Sequence, residues 1–175
     1  MKVLVIGHIH QDGINLLRAR SDVTIETTEA HKESDLVKLV PDADAILVRS
    51  ALITSAIIEA APLLKVVSRH GVGFNSVDVE ALTARRIPLT IAVGGNAVSV
   101  AEHTLYLILA LAKQGQCYDT AARQGDFSFR NAPIAREIET SELLVIGFGR
   151  IGTQVARRAL AFGMAVHVYD PYVPD

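Results

Sequence analysis

Apolar residues along the first ninety positions fall in short β-branched runs that do not alternate with polar ones. The runs are KVLVIG from Lys2, DVTIET from Asp22, AILV from Ala45, KVVS from Lys65 and PLTIA from Pro88. Between them lie stretches of helical period: GINLLRAR, KESDLVKLV, SAIIEAAP and SVDVEALTARR. Strands separated by helix-length spacers rather than hairpin turns predict repeated βα units and a parallel sheet. The lack of alternation predicts strands buried on both faces. Residues 1–97 are therefore expected to form a flavodoxin-like, doubly wound α/β domain.

A different pattern follows. NAVSVAEHTLYLILALAKQG has capping candidates in Asn96 and Ser99, an early carboxylate in Glu102, and Lys113 near its end before Gly115. It is apolar almost all round from Leu105 to Ala112, which predicts a long helix buried on both sides. Residues 98–124 are expected to provide helices that lie between domains and touch a partner chain; a central core helix is the alternative. GDFSFRNAPIAREIET, residues 125–140, lacks strong period and predicts a connecting loop. The βα pattern then restarts with strand ELLVIG, helix IGTQVARRALAF, Gly163 as a stop and strand AVHVY. Residues 125–175 are thus expected to be the first βαβ unit of an incomplete Rossmann domain.

That second unit carries the chemistry. GFGRIG, Gly147 to Gly152, follows an apolar strand and opens an amphipathic helix, and the next strand ends in Asp170, eighteen residues beyond Gly152. This context turns a weak GxGxxG motif into a dinucleotide fingerprint. Gly147 permits the tight turn, Gly149 leaves room for a pyrophosphate, and Gly152 lets helix and strand approach. Amides around Arg150 and Ile151 would face the phosphates. Asp170 would accept from both ribose hydroxyls, and no Arg or Lys follows it in PYVPD. A 2′-phosphate would meet a bare carboxylate there, so NAD is expected as cofactor rather than NADP.

Composition narrows the choices further. Seventeen basic against nineteen acidic residues, without a basic block, offer no footprint for nucleic acid. The longest apolar run, Leu105 to Ala112, is eight residues, and a membrane span needs about 20. A single cysteine, Cys117, excludes an intrachain disulfide and a cysteine metal cluster. Its expected role is packing on a helix, and the expected location is cytoplasmic, with no metal and no membrane contact.

The order of the units, with RHGVGFNSVDV, NAVSVAEH and GFGRIGTQVARRALAFGMAVHVYDPY, resembles the NAD-dependent D-2-hydroxyacid dehydrogenase family, which includes D-3-phosphoglycerate dehydrogenases. The resemblance implies hydride transfer between NAD and a 2-hydroxy or 2-keto acid. It implies that the amides of Val72 and Gly73 hold the substrate carboxylate, an anion well served by paired N–H groups. Arg49 and Ser50 match the position that reaches a substrate phosphate, and Asn96 matches an asparagine beside the substrate. For Arg49 a solvated strand-end charge, and for Asn96 a helix cap, are the competing readings. The catalytic histidine, its carboxylate and an arginine are expected beyond residue 175, since members are usually close to twice this length. No catalytic residue is therefore assigned within the chain, which is expected to show no turnover alone, and a homodimer or other self-association is expected to shelter its last strands. The alternative is a catalytically silent NAD- or partner-binding fragment of the same fold, and a third reading is an unrelated NAD(P) enzyme with a late fingerprint.

Among the histidines, His103 adjoins Glu102, but neighbouring helical side chains diverge by about 100° and do not pair. His70 precedes the substrate loop, and His8 and His10 occupy the turn without phosphate glycines. Arg69, Arg85, Arg86, Arg157 and Arg158 read as surface or strand-end charges. The chain departs from the family pattern at Asn75-Ser76, where Asp-Asn is common, and before Gly94, where the usual proline is missing. ETSE replaces a usual Gly-Lys pair. Arg86 stands near a usual glycine where φ is positive, a substitution costing about 1 kcal/mol.

Overall fold

The computed structural model describes residues 1–132 and 135–173. The chain divides into two compact units, Met1–Gly95 and Asn96–Asp175. The first alternates β1 (Lys2–Ile6), α1 (Gln11–Arg18), β2 (Thr24–Thr28), α2 (Glu33–Leu39), β3 (Ala45–Val48), α3 (Ser55–Glu59), β4 (Val66–Arg69), α4 (Val79–Ala84) and β5 (Leu89–Ile91). Its five strands are all parallel in the order β2-β1-β3-β4-β5. This is the flavodoxin-like order, in which ligands bind outside the carboxyl ends of the strands.

The unalternating strands are explained by a core on both sides of the sheet. Leu4, Ile6, Ile46, Val48 and Val67 pack with Leu36 of α2, Ile57 and Ile58 of α3, and Leu82 of α4. Val3, Val5 and Ala45 point the other way, toward Ile9 and Ile14. Helix ends are closed locally. The Asp78 carboxylate accepts from the Ala81 amide at 2.9 Å and caps α4. At the other end Arg86 N–H donates to the Thr83 carbonyl at 3.0 Å and Ile87 N–H to the Leu82 carbonyl at 2.9 Å. That pair of bonds is a Schellman motif, whose αL position falls on Arg86 with φ 56.

Arg85 is more than the surface charge its position in the sequence implies. Its guanidinium donates to the carbonyls of Ile58, Ala61 at 3.0 Å and Pro62 at 3.4 Å. Ile58 lies in the last turn of α3 and Ala61 and Pro62 follow it, so the cation reinforces the negative end of that helix alongside the backbone bond from the Ala61 amide to the Ile58 carbonyl at 3.2 Å.

The second unit contains α5 (Ala97–Ala112), α6 (Gly115–Arg123), a 3-10 helix over Phe127–Asn131, β6 (Glu142–Ile146), α7 (Arg150–Ala161) and β7 (Ala165–Tyr169). β6 and β7 pair in parallel through α7, forming one βαβ unit. Ala101 and Leu105 of α5 pack on Val155 of α7, and Ala112 joins Ile138, Ala159 and Met164. The apolar band of α5 is covered on one side only: Tyr106 is 62% exposed and Leu111 73%. Among the described residues the expectation of burial on both sides is not met within this chain, because the packing of α7 along α5 covers one side of it. Cys117 is also exposed rather than packed. The loop expected over residues 125–140 contains the 3-10 helix because Asp126 accepts from the Ser128 amide at 3.1 Å. No helix among the described residues is long and apolar enough to cross a membrane.

Candidate functional site

In the second unit the fingerprint glycines have three separate physical roles. Gly147 ends β6 with φ +92, a conformation that L side chains rarely adopt, and its amide donates to the Tyr169 carbonyl at 2.8 Å. Gly149 is the N-cap of α7 with φ −75, and nothing lies within 4 Å of a Cβ built on it. Its bareness keeps open the space in front of the helix. Gly152 faces inward: a Cβ there would drive into the Gly147 carbonyl oxygen, 3.1 Å from its carbon and 3.2 Å from Val145 Cγ1.

Among the described residues no side chain caps α7. Its first bonded amide is Thr153, which donates to the Gly149 carbonyl at 3.1 Å. The amides of Arg150, Ile151 and Gly152 therefore lack helical acceptors and carry the positive end of the dipole. A diphosphate satisfies such a set.

Asp170 stands just beyond β7 and is tied to the same turn. Its Oδ2 accepts from the Phe148 amide at 2.6 Å and its Oδ1 from the Tyr172 amide at 2.9 Å. The Phe148 N–H first, and the Tyr172 N–H second, hold its pKa below the ordinary carboxylate value. A carboxylate has about four acceptor positions; two are used here, leaving two for a vicinal diol. The two amides also fix the carboxylate in direction, so it needs no reordering to receive a ribose.

In the first unit the remaining candidates lie at the carboxyl edge of the sheet. Arg49 and Ser50 follow β3, and both are exposed. The Arg49 amide donates to the Ile6 carbonyl at 3.2 Å and its Nη1 to the His8 carbonyl at 3.3 Å. Among the described residues no carboxylate pairs with it. Val72 and Gly73 follow β4 in a loop pinned at Gly71, whose carbonyl accepts from the Ala92 amide at 2.9 Å. Among the described residues the amides of Val72 and Gly73 have no protein acceptor, and a Cβ built at Gly73 meets nothing within 4 Å. This is an open pair of donors suited to a carboxylate.

Sequence reasoning missed Arg69, beside that loop. Its guanidinium lies over Gly71, where a Cβ would collide with it, and among the described residues its buried Nε has no hydrogen-bond partner. Asn96 opens the second unit at the N-cap of α5, yet its side chain makes no capping bond and stays exposed. The capping reading is thus not what the structure shows, and the amide side chain is available. His103 stacks on Tyr106 with ring centroids 5.7 Å apart. Among the described residues no group of three His, Cys, Asp or Glu side chains forms a metal site.

Comparison with known proteins gives this geometry a lineage. The chain is 39% identical over 175 residues to a D-3-phosphoglycerate dehydrogenase of Methanocaldococcus jannaschii, spanning 99% of this chain and 33% of the relative. It is 39% identical over 176 residues to a hydroxypyruvate reductase of Thermotoga maritima, spanning 99% of this chain and 56% of that one. It superposes on the D-lactate dehydrogenase of Aquifex aeolicus, solved with NAD and lactic acid, with TM-score 0.87 and 30% identity, covering 99% of this chain and 52% of that one. The chain therefore spans between a third and just over half of the length of these relatives. Residues 3–169 match the D-isomer specific 2-hydroxyacid dehydrogenase catalytic domain, and the chain belongs to that family.

Proposed function

We propose that these residues form the NAD-adenosine and substrate-acid binding part of an NAD-dependent oxidoreductase acting on a 2-hydroxy or 2-keto acid. The observation that carries the proposal is the amide-locked Asp170 carboxylate, set across the turn from the open Gly149. The amides of Arg150, Ile151 and Gly152 would take the pyrophosphate, and Asp170 the adenosine ribose. Val72 and Gly73 would receive the substrate carboxylate, Arg49 and Ser50 a phosphate at its far end, and Asn96 a further polar group. D-3-phosphoglycerate fits this set best, since Arg49 is a cation without a carboxylate partner among the described residues.

The test is isothermal titration of the 175-residue chain with NAD and NADP, beside an Asp170→Asn variant. Asparagine keeps an acceptor for Phe148 but loses the charge and one ribose acceptor. NAD should be preferred over NADP, and the variant should narrow that preference by about ten-fold, the scale of one charge-assisted hydrogen bond. Equal binding of both dinucleotides to the wild type, or an unchanged ratio in the variant, would overturn the reading.

Self-association belongs to the same proposal. Tyr106, Leu107 and Leu111 line a concavity of about 800 Å³ where α5 meets α6, and Leu144 and Ile146 of β6 are 60% and 76% exposed. Apolar surface of this kind marks an interaction site, and we assign it to a homodimer working in the cytoplasm. Light scattering checks this: a monomer at micromolar concentration would refute it, and Leu111→Glu should dissociate the dimer.

A further inference from the structure

Arg69 ends β4 and is half-buried, yet little in the chain compensates its charge. Among the described residues no carboxylate pairs with it, its Nε is buried without a partner, and its Nη1 reaches the His70 carbonyl at a long 3.4 Å. A buried donor left unpaired costs free energy, so its presence calls for a physical reason.

The guanidinium is folded back over its own loop. A Cβ built on Gly71 would run into Nη1 and Cζ and stand 3.3 Å from Nε, and its three nearest neighbours all belong to Arg69. The φ of Gly71 is not in the left-handed region, so glycine here makes room for the cation rather than for a turn. The backbone around it is pinned. The His70 amide donates to the Val48 carbonyl at 2.8 Å, the Gly71 amide to the Arg69 carbonyl at 2.8 Å, and the Ala92 amide to the Gly71 carbonyl at 2.9 Å. The next two amides, of Val72 and Gly73, are the ones without a protein acceptor among the described residues. Standard bond lengths along Gly71 then put Nη1 within about 5 Å of the Val72 nitrogen.

We propose that Arg69 is a positioning residue for the carboxylate of a small 2-hydroxy acid: packed on Gly71, its guanidinium braces the loop and supplies, from behind, the positive charge that the Val72 and Gly73 amides lack. The inference rests on the reading of those amides as the carboxylate site. Two amides are dipoles without net charge, and a carboxylate that gives up water to reach them loses hydration that a nearby cation offsets. Arginine suits the place because its planar, weakly hydrated head can lie flat on a peptide without a full set of acceptors. The cation stays beneath Gly71, and the amides make the contact.

The test is titration of the 175-residue chain with D-lactate at neutral pH, followed through the NMR shifts of the Val72 and Gly73 amides. Both should move in the wild type. Arg69→Met keeps an apolar cover without the charge and should weaken binding about five-fold, the scale of one unit charge a few ångströms away in water. Arg69→Lys restores the charge and should return the affinity to within about two-fold of wild type, a rescue that a purely structural role would not give. Gly71→Ala puts a Cβ where the guanidinium lies and should weaken D-lactate as much as Arg69→Ala does. The two together should be no weaker than either alone, since both remove the same contact. Arg69→Lys as weak as Arg69→Met, or additive effects of Gly71→Ala and Arg69→Ala, would overturn the role of Arg69 and spare the carboxylate reading. Wild-type Val72 and Gly73 amides that do not respond to D-lactate would sink both.

Discussion

Replacing Arg86 with glycine should leave the first unit about as stable as the wild type, whereas replacing it with alanine should destabilise it. Arg86 holds φ 56 at the αL position of the motif that ends α4. An L residue pays about 1–2 kcal/mol to stand there, through the approach of its Cβ to the following carbonyl. Glycine avoids that cost but loses about 0.5–1 kcal/mol more backbone entropy on folding. A cation past a helix C-terminus contributes about 0.3–1 kcal/mol, which the glycine variant forfeits. The clean quantity is therefore glycine against alanine at position 86, both uncharged and differing only in Cβ, where glycine should be favoured by about 1 kcal/mol. In a chain of this size that is a shift in Tm of about 2–4 °C.

Urea unfolding followed by far-UV circular dichroism gives the midpoints. Hydrogen exchange at the Ile87 amide, bonded to the Leu82 carbonyl, shows that the effect lies in this unit. Helix α7 supplies the converse case, since the same bonds run from Gly163 to Leu160 at 3.0 Å and from Met164 to Ala159 at 3.2 Å. There φ is +73, and an added Cβ would also come 3.1 Å from Glu139 Cγ, so Gly163→Ala should destabilise. Arg86→Ala as stable as Arg86→Gly would refute the reasoning, because strain at Cβ would then not be the operative term.

Gly152→Ala should cost the second unit about 1–3 kcal/mol by overpacking and abolish NAD binding; tyrosine fluorescence reads this unit alone, since Tyr106, Tyr118, Tyr169 and Tyr172 all belong to it. Gly149→Ala should leave the unfolding curve unchanged, its Cβ meeting nothing within 4 Å, and still weaken NAD binding, so equal effects of the two variants on stability would contradict the division of roles. Ile57→Ala, at a fully buried site, should cost about 2–5 kcal/mol in urea unfolding. Because the Phe148 and Tyr172 amides depress the Asp170 pKa, its contribution to stability is full above the unfolded carboxylate value of about 3.9 and is lost as pH falls through the lower folded value. Asp170→Asn should accordingly flatten the acid limb of the tyrosine-detected stability profile, and an unchanged limb would count against the amide lock.

The strands of the first unit were legible in the sequence because their unalternating runs have one physical cause. Leu4 and Ile6 go to one core and Val3 and Val5 to the other, so no polar face interrupts the run. Arg86 was legible too, because the αL position of a helix end is a local backbone demand. What could not be read depends on contacts made across the fold. The Arg85 guanidinium reaches carbonyls more than twenty positions earlier in the chain. The exposure of Tyr106 and Leu111 depends on which helices lie beside α5, and apolar content alone is silent about that.

The two candidate regions show the same division at the level of chemistry. GFGRIG with a following aspartate points to a dinucleotide, but spacing alone does not distinguish a glycine that makes room for a ligand from one that makes room for the protein. Gly149 is bare toward open space, whereas Gly152 is bare toward the Gly147 carbonyl. The carboxyl edge of the first sheet is further still from any linear motif. Arg49 and the amides of Val72 and Gly73 are more than twenty positions apart, and they reach the same edge because β3 lies beside β4. A parallel sheet with crossover helices gathers the first residue after every strand along one edge, whatever their separation in sequence. Recognition chemistry in such a fold is therefore set by strand order, which brings groups far apart in sequence to one edge.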